Sequence, residues 1–517
     1  MVSGPGRKAG KETPVLVRKI ILPLFLLVSL SAFAQKTFLI TNNDSFRRPN
    51  SVSSYAIQAD GSLLLVGQFP TGGNGGGNSG DPSGNGIGFI PTTRIVVTPD
   101  NRFVFATNAP DNTVSGFSIN ASTGILTLVP GSPFPTGGNA CQGMGLAASP
   151  DSHSLFAMNT CSQDITAFQI GANGALTAVG ARASTGGEGE DIKVTGDGKF
   201  LAVALSGFER GTATFSIAAN GSLAAVPGSP FIGSFGFPGS VEANCKGDQI
   251  FVLNDGAPSS VDTFHVGADG SLALQSSFTI PVPANGDGEV SMYLSPNGKL
   301  LFVADVASFA SSFHVADDGS LTPESLFVPA TGTFFLGHVV TDPAGKFLYG
   351  SGLFNNLAAY SVDNNGALAL LPASPFSAPG FNAIGSFAAY PSKSCSASLM
   401  VGIKLRPQDQ GQGNPVATIG AGDNGRLDVA ILSSASFNAP AQVDTSSLTF
   451  GHTGSEPSLV SCRSDARDVD GDGLNDLICS FNVRAGAFVP GDTQAILHGK
   501  TLSGTPIVGT TPVSVVP

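Results

Sequence analysis

The sequence predicts an all-β protein: a seven-bladed β-propeller closed by strand exchange, followed by a small β-sandwich module. Three observations predict it. A strand–turn–strand phrase recurs seven times, a second hairpin phrase sits between its copies, and the first and last strands are out of phase with each other.

The first phrase is an alternating strand, a turn ending in Gly, and a further apolar strand. It reads Tyr55-Ala-Ile-Gln-Ala-Asp-Gly61-Ser-Leu in its first copy and Tyr360-Ser-Val-Asp-Asn-Asn-Gly366-Ala-Leu in its last. The intervening copies turn at Gly124, Gly174, Gly221, Gly270 and Gly319. Asn-Gly or Asp-Gly between alternating strands is a strong hairpin signal, because the turn needs positive φ. The second phrase, as in Met292-Tyr-Leu-Ser-Pro-Asn-Gly-Lys-Leu-Leu-Phe, is another hairpin with Pro opening the turn. Each unit of about 48 residues therefore supplies four strands, the content of a propeller blade.

Phase predicts the closure. The segment Phe38-Leu-Ile-Thr reads as the second strand of a blade with no first strand before it. Ile384-Gly-Ser-Phe-Ala-Ala-Tyr-Pro391 reads as a first strand with no hairpin after it. Pairing the two completes a blade and removes an exposed edge. The one long interval holds a Gly/Asn/Ser-rich stretch, Thr71 to Gly88, read as a surface loop. It lacks the Gly-Lys-Ser/Thr ending of a phosphate-binding loop and the pattern of calcium-binding nonapeptides.

Residues 1–34 read as a secretory signal peptide. Arg7, Lys8, Lys11, Arg18 and Lys19 precede the apolar run Ile20 to Leu30, and Ala32-Phe33-Ala34 gives an A-x-A cleavage pattern. The run is about half of the ~20 residues that span a bilayer, although an uncleaved anchor is the alternative. No membrane span is expected after cleavage, and the localisation expected is secreted: periplasmic, extracellular or cell-surface. Cleavage takes the formal charge from −12 to −16, because five basic residues and Glu12 leave. Nucleic acid is therefore not expected as a partner, since its binding rests on Lys and Arg neutralising phosphates.

The propeller is expected to occupy 35–391, a linker 392–398, and the β-sandwich 399–517. Strand-like runs in the tail are Leu399–Leu405, Asp428–Leu432, Leu477–Phe481 and Ala495–Leu497. Within the tail, Asp468, Asp470, Asp472 and Asp476, with the backbone carbonyl of Leu474, have the spacing of a calcium loop. Cys479 stands where a helical EF-hand would need Glu, so a strand-flanked structural Ca2+ site is expected; a solvated acidic turn is the alternative. Of the six cysteines, Cys462 and Cys479 bracket this loop, and Cys141 and Cys161 face each other across a hairpin. Cys245 and Cys395 are left unassigned, as a disulfide or as free buried thiols.

The four-stranded repeats, with turns such as Ser295-Pro-Asn-Gly-Lys-Leu-Leu-Phe-Val and Asp-Gly-Ser-Leu, resemble the lactonase-family β-propellers over roughly residues 37–391. That family includes bacterial 6-phosphogluconolactonase and a fungal carboxymuconate cyclase, and it borders on YVTN-type surface-layer propellers. The tail looks like an accessory module of secreted bacterial proteins. The resemblance implies a His five residues before the turn Pro, where His338 precedes Pro343; Phe335-Leu-Gly stands here in place of the family's Gly-Pro-Arg. Equivalent positions hold Arg94, Gly145, Asp191, Ser291 and Ser386, with Glu190, Glu289 and Glu242 nearby.

These groups converge on the mouth of the central funnel, where innermost strands begin. A carboxylate or His338 would activate water and Arg94 would stabilise an oxyanion, which is lactone hydrolysis. The other reading is that they hydrate a channel in a non-catalytic scaffold. The expected partners are accordingly a small-molecule lactone or sugar, or an extracellular glycan or protein, and no organic cofactor. One Arg among acidic residues does not suit a phosphorylated substrate. No nucleophile elbow, His metal cluster or dinucleotide fingerprint is present.

Overall fold

The computed structural model describes residues 1, 2, 4, 6, 36–44, 49–76, 93–141, 143–207, 210–234, 236–256, 258–281, 288–305, 307–332, 336–352, 356–378, 386–392, 399–407, 416–434, 437–454, 456–502 and 506–517. Most of the leader at 1–34, all of residues 77–92, and Cys395 lie outside the described residues. The β-structure belongs to the unit Lys36–Pro517.

Up to residue 390 the described chain forms seven antiparallel sheets, each a meander in sequence order except the first. The innermost strands are Ile95–Val97, Met144–Ala148, Glu188–Val194, Phe237–Ala243, Glu289–Leu294, Val339–Thr341 and Phe387–Tyr390. Each packs against the next in that order, and Phe387–Tyr390 packs against Ile95–Val97. In the first sheet, Phe387–Tyr390 pairs antiparallel with Phe38–Asn42, in the register Phe38↔Tyr390 to Thr41↔Phe387. Residues 379–385, the start of the expected last strand, lie outside the described residues. This is a β-propeller architecture.

The repeated turn glycines serve two purposes. All seven have φ between +74° and +92°, where a Cβ is strained. In four of them a Cβ would also strike a ring that opens the second strand of the adjoining sheet. Gly124 meets Phe38, Gly174 meets Phe103, Gly270 meets Phe200 and Gly61 meets Phe347, each at 2.5 Å. The glycine thus shapes its hairpin and lets neighbouring sheets close up. Between sheets lie separate cores of Val, Leu, Ile, Ala and Phe, such as Phe38, Ile40, Val104, Phe117 and Tyr390.

The Gly-rich stretch departs from expectation at its start. Thr71 does not open a loop, because the strand runs Leu63–Asn74. Thr71 donates its hydroxyl hydrogen to Asn108 Oδ1 (2.7 Å), and the Asn74 N–H donates to Asp111 Oδ2 (2.6 Å). These polar partners from the next sheet outweigh the weak β propensity of glycine.

The tail forms two further sheets that share one core. Leu427, Val429, Ile431 and Phe481 of one pack with Phe450, Leu497, Ile507 and Val513 of the other. One of these sheets contains parallel pairs, Leu399–Met400 and Ala417–Gly420 each with Pro506–Val516. Cys141–Cys161 and Cys462–Cys479 are disulfides, the latter joining residues directly opposite in an antiparallel pair. Cys245 is also disulfide-bonded, so it is not a free thiol. Such oxidation is characteristic of compartments outside the cytoplasm. Among the described residues, no helix is long and apolar enough to cross a membrane.

Candidate functional site

Three consecutive innermost strands carry a β-bulge at the same height near their start. The register shifts between Gly189 and Asp191, between Pro238 and Ser240, and between Glu289 and Ser291. The inserted residues are Glu190, Gly239 and Val290. A bulge re-aims a side chain out of the ladder, and such features concentrate near functional sites. Only one of the three inserted residues is ionisable.

Glu190 is half-buried, and the Ser206 hydroxyl donates to its Oε1. Its Oε2 is buried with no hydrogen-bond partner among the described residues. Burial, reinforced by the nearby charges of Glu188 and Asp191, pushes its carboxyl up to about 7. The charge of Arg94 and the Ser206 hydrogen bond oppose that rise.

Asp191 and Arg94 are fully engaged in holding the mouth together. Asp191 Oδ1 accepts from the N–H groups of Thr93 (3.2 Å) and Ile192 (3.0 Å). Its Oδ2 accepts from the Ser240 hydroxyl (3.0 Å) and the Val241 N–H (3.2 Å). Three sheets are therefore tied by one carboxyl, which burial lifts to about 6 despite these bonds. The Arg94 guanidinium is buried against the carboxylate of Asp44, which also accepts from the Gly76 N–H (2.7 Å).

His338 is 8% exposed, with its ring edge against Phe387. Its Nδ1 accepts from the Phe387 N–H at 3.4 Å, which leaves the ring proton on Nε2. Burial, with the positive charges of Lys193 and Arg94, pushes its pKa down to about 3, so the imidazole is neutral. The hydroxyls of Ser291 and Ser386 are likewise buried without a partner among the described residues. Glu289 opens its strand opposite Asp305 in register.

Beyond the mouth lies a cavity of about 170 Å3, to which each innermost strand contributes: Val96, Ala147, Lys193, Ala243, Tyr293, Val340 and Ala388. It is largely apolar. Its one ammonium, Lys193, is paired with Glu242 through both carboxylate oxygens (2.9 and 2.8 Å). Lys193 and Ser206 are residues that motif reasoning overlooks. The available signals are a lone charge in the apolar run Ile192-Lys-Val194, and the Gly189 that precedes the bulged acid.

In the tail, carboxylate oxygens of Asp468, Asp470 and Asp476 lie within 4.8 Å of one another. Asp476 is buried, accepting from the N–H groups of Ser433 (2.7 Å) and Val469 (2.9 Å). Asp468 accepts from Gly471 (2.7 Å) and Gly473 (2.9 Å), which holds its carboxyl below the usual range. Asp470 is shifted upward, by desolvation first and then by the charges of Asp472, Asp476 and Asp468. Asp472 stands outside the trio, its Oδ1 accepting from the Leu474 N–H (2.8 Å). Hard oxygen ligands crowded this closely suit a divalent cation.

No protein-family model matches the sequence, and no curated protein matches it. Solved structures do match. A protein of Bacteroides fragilis described as a candidate 6-phosphogluconolactonase aligns at 20% identity with a TM-score of 0.54, over 69% of this chain and 99% of that one. The periplasmic gluconolactonase PpgL of Pseudomonas aeruginosa aligns at 16% identity with a TM-score of 0.54, over 68% and 99%. A candidate 6-phosphogluconolactonase of Bacteroides uniformis gives 16% and 0.55, over 68% and 99%. At these identities the likeness is one of fold.

Proposed function

We propose that the chain is a secreted, lactonase-type β-propeller of seven blades that hydrolyses an unphosphorylated lactone or sugar derivative at the funnel mouth. The seven sheets are its blades. The pairing of Phe38–Asn42 with Phe387–Tyr390 and a cavity lined from every innermost strand support the ring closure. The gluconolactonase neighbours support the reaction class, and the disulfides support the location.

One observation carries the chemistry: Glu190 sits on a bulge with its carboxyl lifted to about 7 and one oxygen unengaged. A base with this pKa suits proton abstraction near neutrality. Ionised Glu190 takes a proton from water, the hydroxide adds to the lactone carbonyl, and the ring C–O bond breaks. The departing alkoxide recovers the proton from Glu190, giving a hydroxy acid. Neutral His338 donates from Nε2 to the developing oxyanion, a role that Arg94, bound to Asp44, is less free to fill. Asp191 positions the strands, and Glu289 borders the mouth. The acidic surroundings favour an uncharged substrate. In the tail, Asp468, Asp470 and Asp476, with Asp472 and the Leu474 carbonyl, hold a structural Ca2+.

A panel of γ- and δ-lactones lacking phosphate, assayed with wild type and His338→Ala, tests this reading. Turnover that falls in the variant supports it, and no turnover above buffer removes it. The engagement of Asp191 and Arg94 in internal bonds favours a second reading, a binding scaffold for an extracellular glycan or protein. Capture of envelope material by the full chain, without turnover, supports that one.

A further inference from the structure

The tail holds a second cleft, of about 380 Å3, within the ~300–1,000 Å3 range of small-molecule sites. Ser434, Asn438 and Gln442 line it from one segment and Leu474 and Asn475 from the acidic loop, over Ser433 and Phe437. Ser433 fastens the two segments together. Its N–H donates to Asp476 Oδ1 (2.7 Å), its hydroxyl donates to the Asn475 carbonyl (2.6 Å), and that hydroxyl accepts from the Ala439 N–H (3.0 Å).

Two of the carboxamides are oriented by the fold. Asn438 Oδ1 accepts from the Ala441 N–H (3.1 Å), and Gln442 Oε1 accepts from the Asn438 N–H (2.7 Å). With both carbonyl oxygens in use, each side chain presents its NH2 group as a fixed donor. Asn475 adds a donor and an acceptor, Ser434 a hydroxyl, and Leu474, 37% exposed, an apolar rim.

Charge narrows the ligand class. Among the described residues no Lys or Arg lines the cleft, and the four Asp carboxylates of the acidic loop outweigh the charge of one Ca2+, so the loop stays net negative and disfavours an anion. A cation offers nothing for the NH2 groups to donate to. The class left is a neutral, hydroxyl-rich molecule whose oxygens accept from the carboxamides and whose C–H face lies on Leu474. We infer that this cleft binds a neutral saccharide, independently of any chemistry in the propeller.

The test is calorimetric titration of the full chain with cello-, malto- and N-acetylchito-oligosaccharides, with oligogalacturonate as the anionic counterpart. Gln442→Glu and Asn438→Asp keep the internal acceptor oxygen and replace the NH2 donor with a charged carboxylate oxygen that accepts but cannot donate. Binding of a neutral oligosaccharide, weakened at least ~10-fold in both variants with unchanged melting temperatures, is the expected result. Lactone turnover is expected to be the same in all three proteins. The inference is overturned if none of the neutral sugars binds, if both variants bind as the wild type does, or if oligogalacturonate binds more tightly.

Discussion

The Tyr349 hydroxyl donates to the carbonyl of Gly61 at 2.9 Å, joining residues 288 apart in the chain. The same glycine lies against the ring of Phe347, so the first copy of the repeated turn meets the sheet that holds Phe347–Ser351. Contacts of this kind join each pair of adjoining sheets, and here the contact joins the two ends of the series. It ties the sheet of Phe38–Asn42 to the sheet of Val339–Thr341, far apart in the sequence.

Gly61→Ala is expected to destabilise the fold by about 2–4 kcal/mol, combining strain at φ +81° with overpacking on Phe347. Tyr349→Phe is expected to cost about 1–2 kcal/mol by leaving a buried carbonyl unbonded. Denaturant melts of the two variants check both values, and a Gly61→Ala midpoint equal to the wild type contradicts this packing.

Removing residues 381–391 takes away the strand that pairs with Phe38–Asn42 and exposes the edge of Phe38–Asn42. The expected outcome is loss of a single cooperative transition, read by circular dichroism and by calorimetry. An unaltered melt is incompatible with closure through that strand.

His338 gives an acid-sensitive term. Its folded pKa of about 3 lies below the ordinary 6.5, so its stabilising contribution is present above pH 6.5 and is lost as pH falls toward 3. His338→Asn keeps an acceptor for the Phe387 N–H and cannot be charged. The wild type is expected to lose stability relative to this variant between pH 6.5 and 3, by at most about 1.4 kcal/mol per pH unit. Glu190 and Asp191 act in the opposite sense, their raised values making stability fall as pH rises through 7 and 6, but they are common to both proteins. Parallel stability curves exclude the buried neutral histidine.

Calcium is expected to raise the melting temperature of the full chain, by the equivalent of about 2.7 kcal/mol at a hundredfold excess over Kd. Asp470→Asn removes one of three crowded carboxylates and is expected to abolish that shift. Identical melts in calcium and in chelator rule out the ion.

The repeated four-stranded sheets are legible in the sequence because their determinants are local: a glycine at positive φ sits in every repeated turn, and alternation fixes which face of each strand is buried. The Cys141–Cys161 pair and the acidic loop are legible for the same reason. The mouth is less so. That Arg94 meets Asp44, 50 residues away, depends on how neighbouring sheets stack, and no spacing rule records it. The bulge that sets Glu190 apart from Asp191 interrupts the very alternation on which strand reading depends. Thr71 shows a third limit, since its strand is held by partners supplied from the next sheet.

The pH dependence of kcat/KM for a neutral lactone, measured in wild type and Glu190→Gln, tests the role of Glu190 as base most directly. The predicted wild-type rate rises with pH and levels above about 7, as Glu190 ionises. The predicted Glu190→Gln rate is lower by at least ~10²-fold, with that rise gone. Equal rates in the two proteins, or a wild-type profile with no inflection near neutrality, would contradict that role.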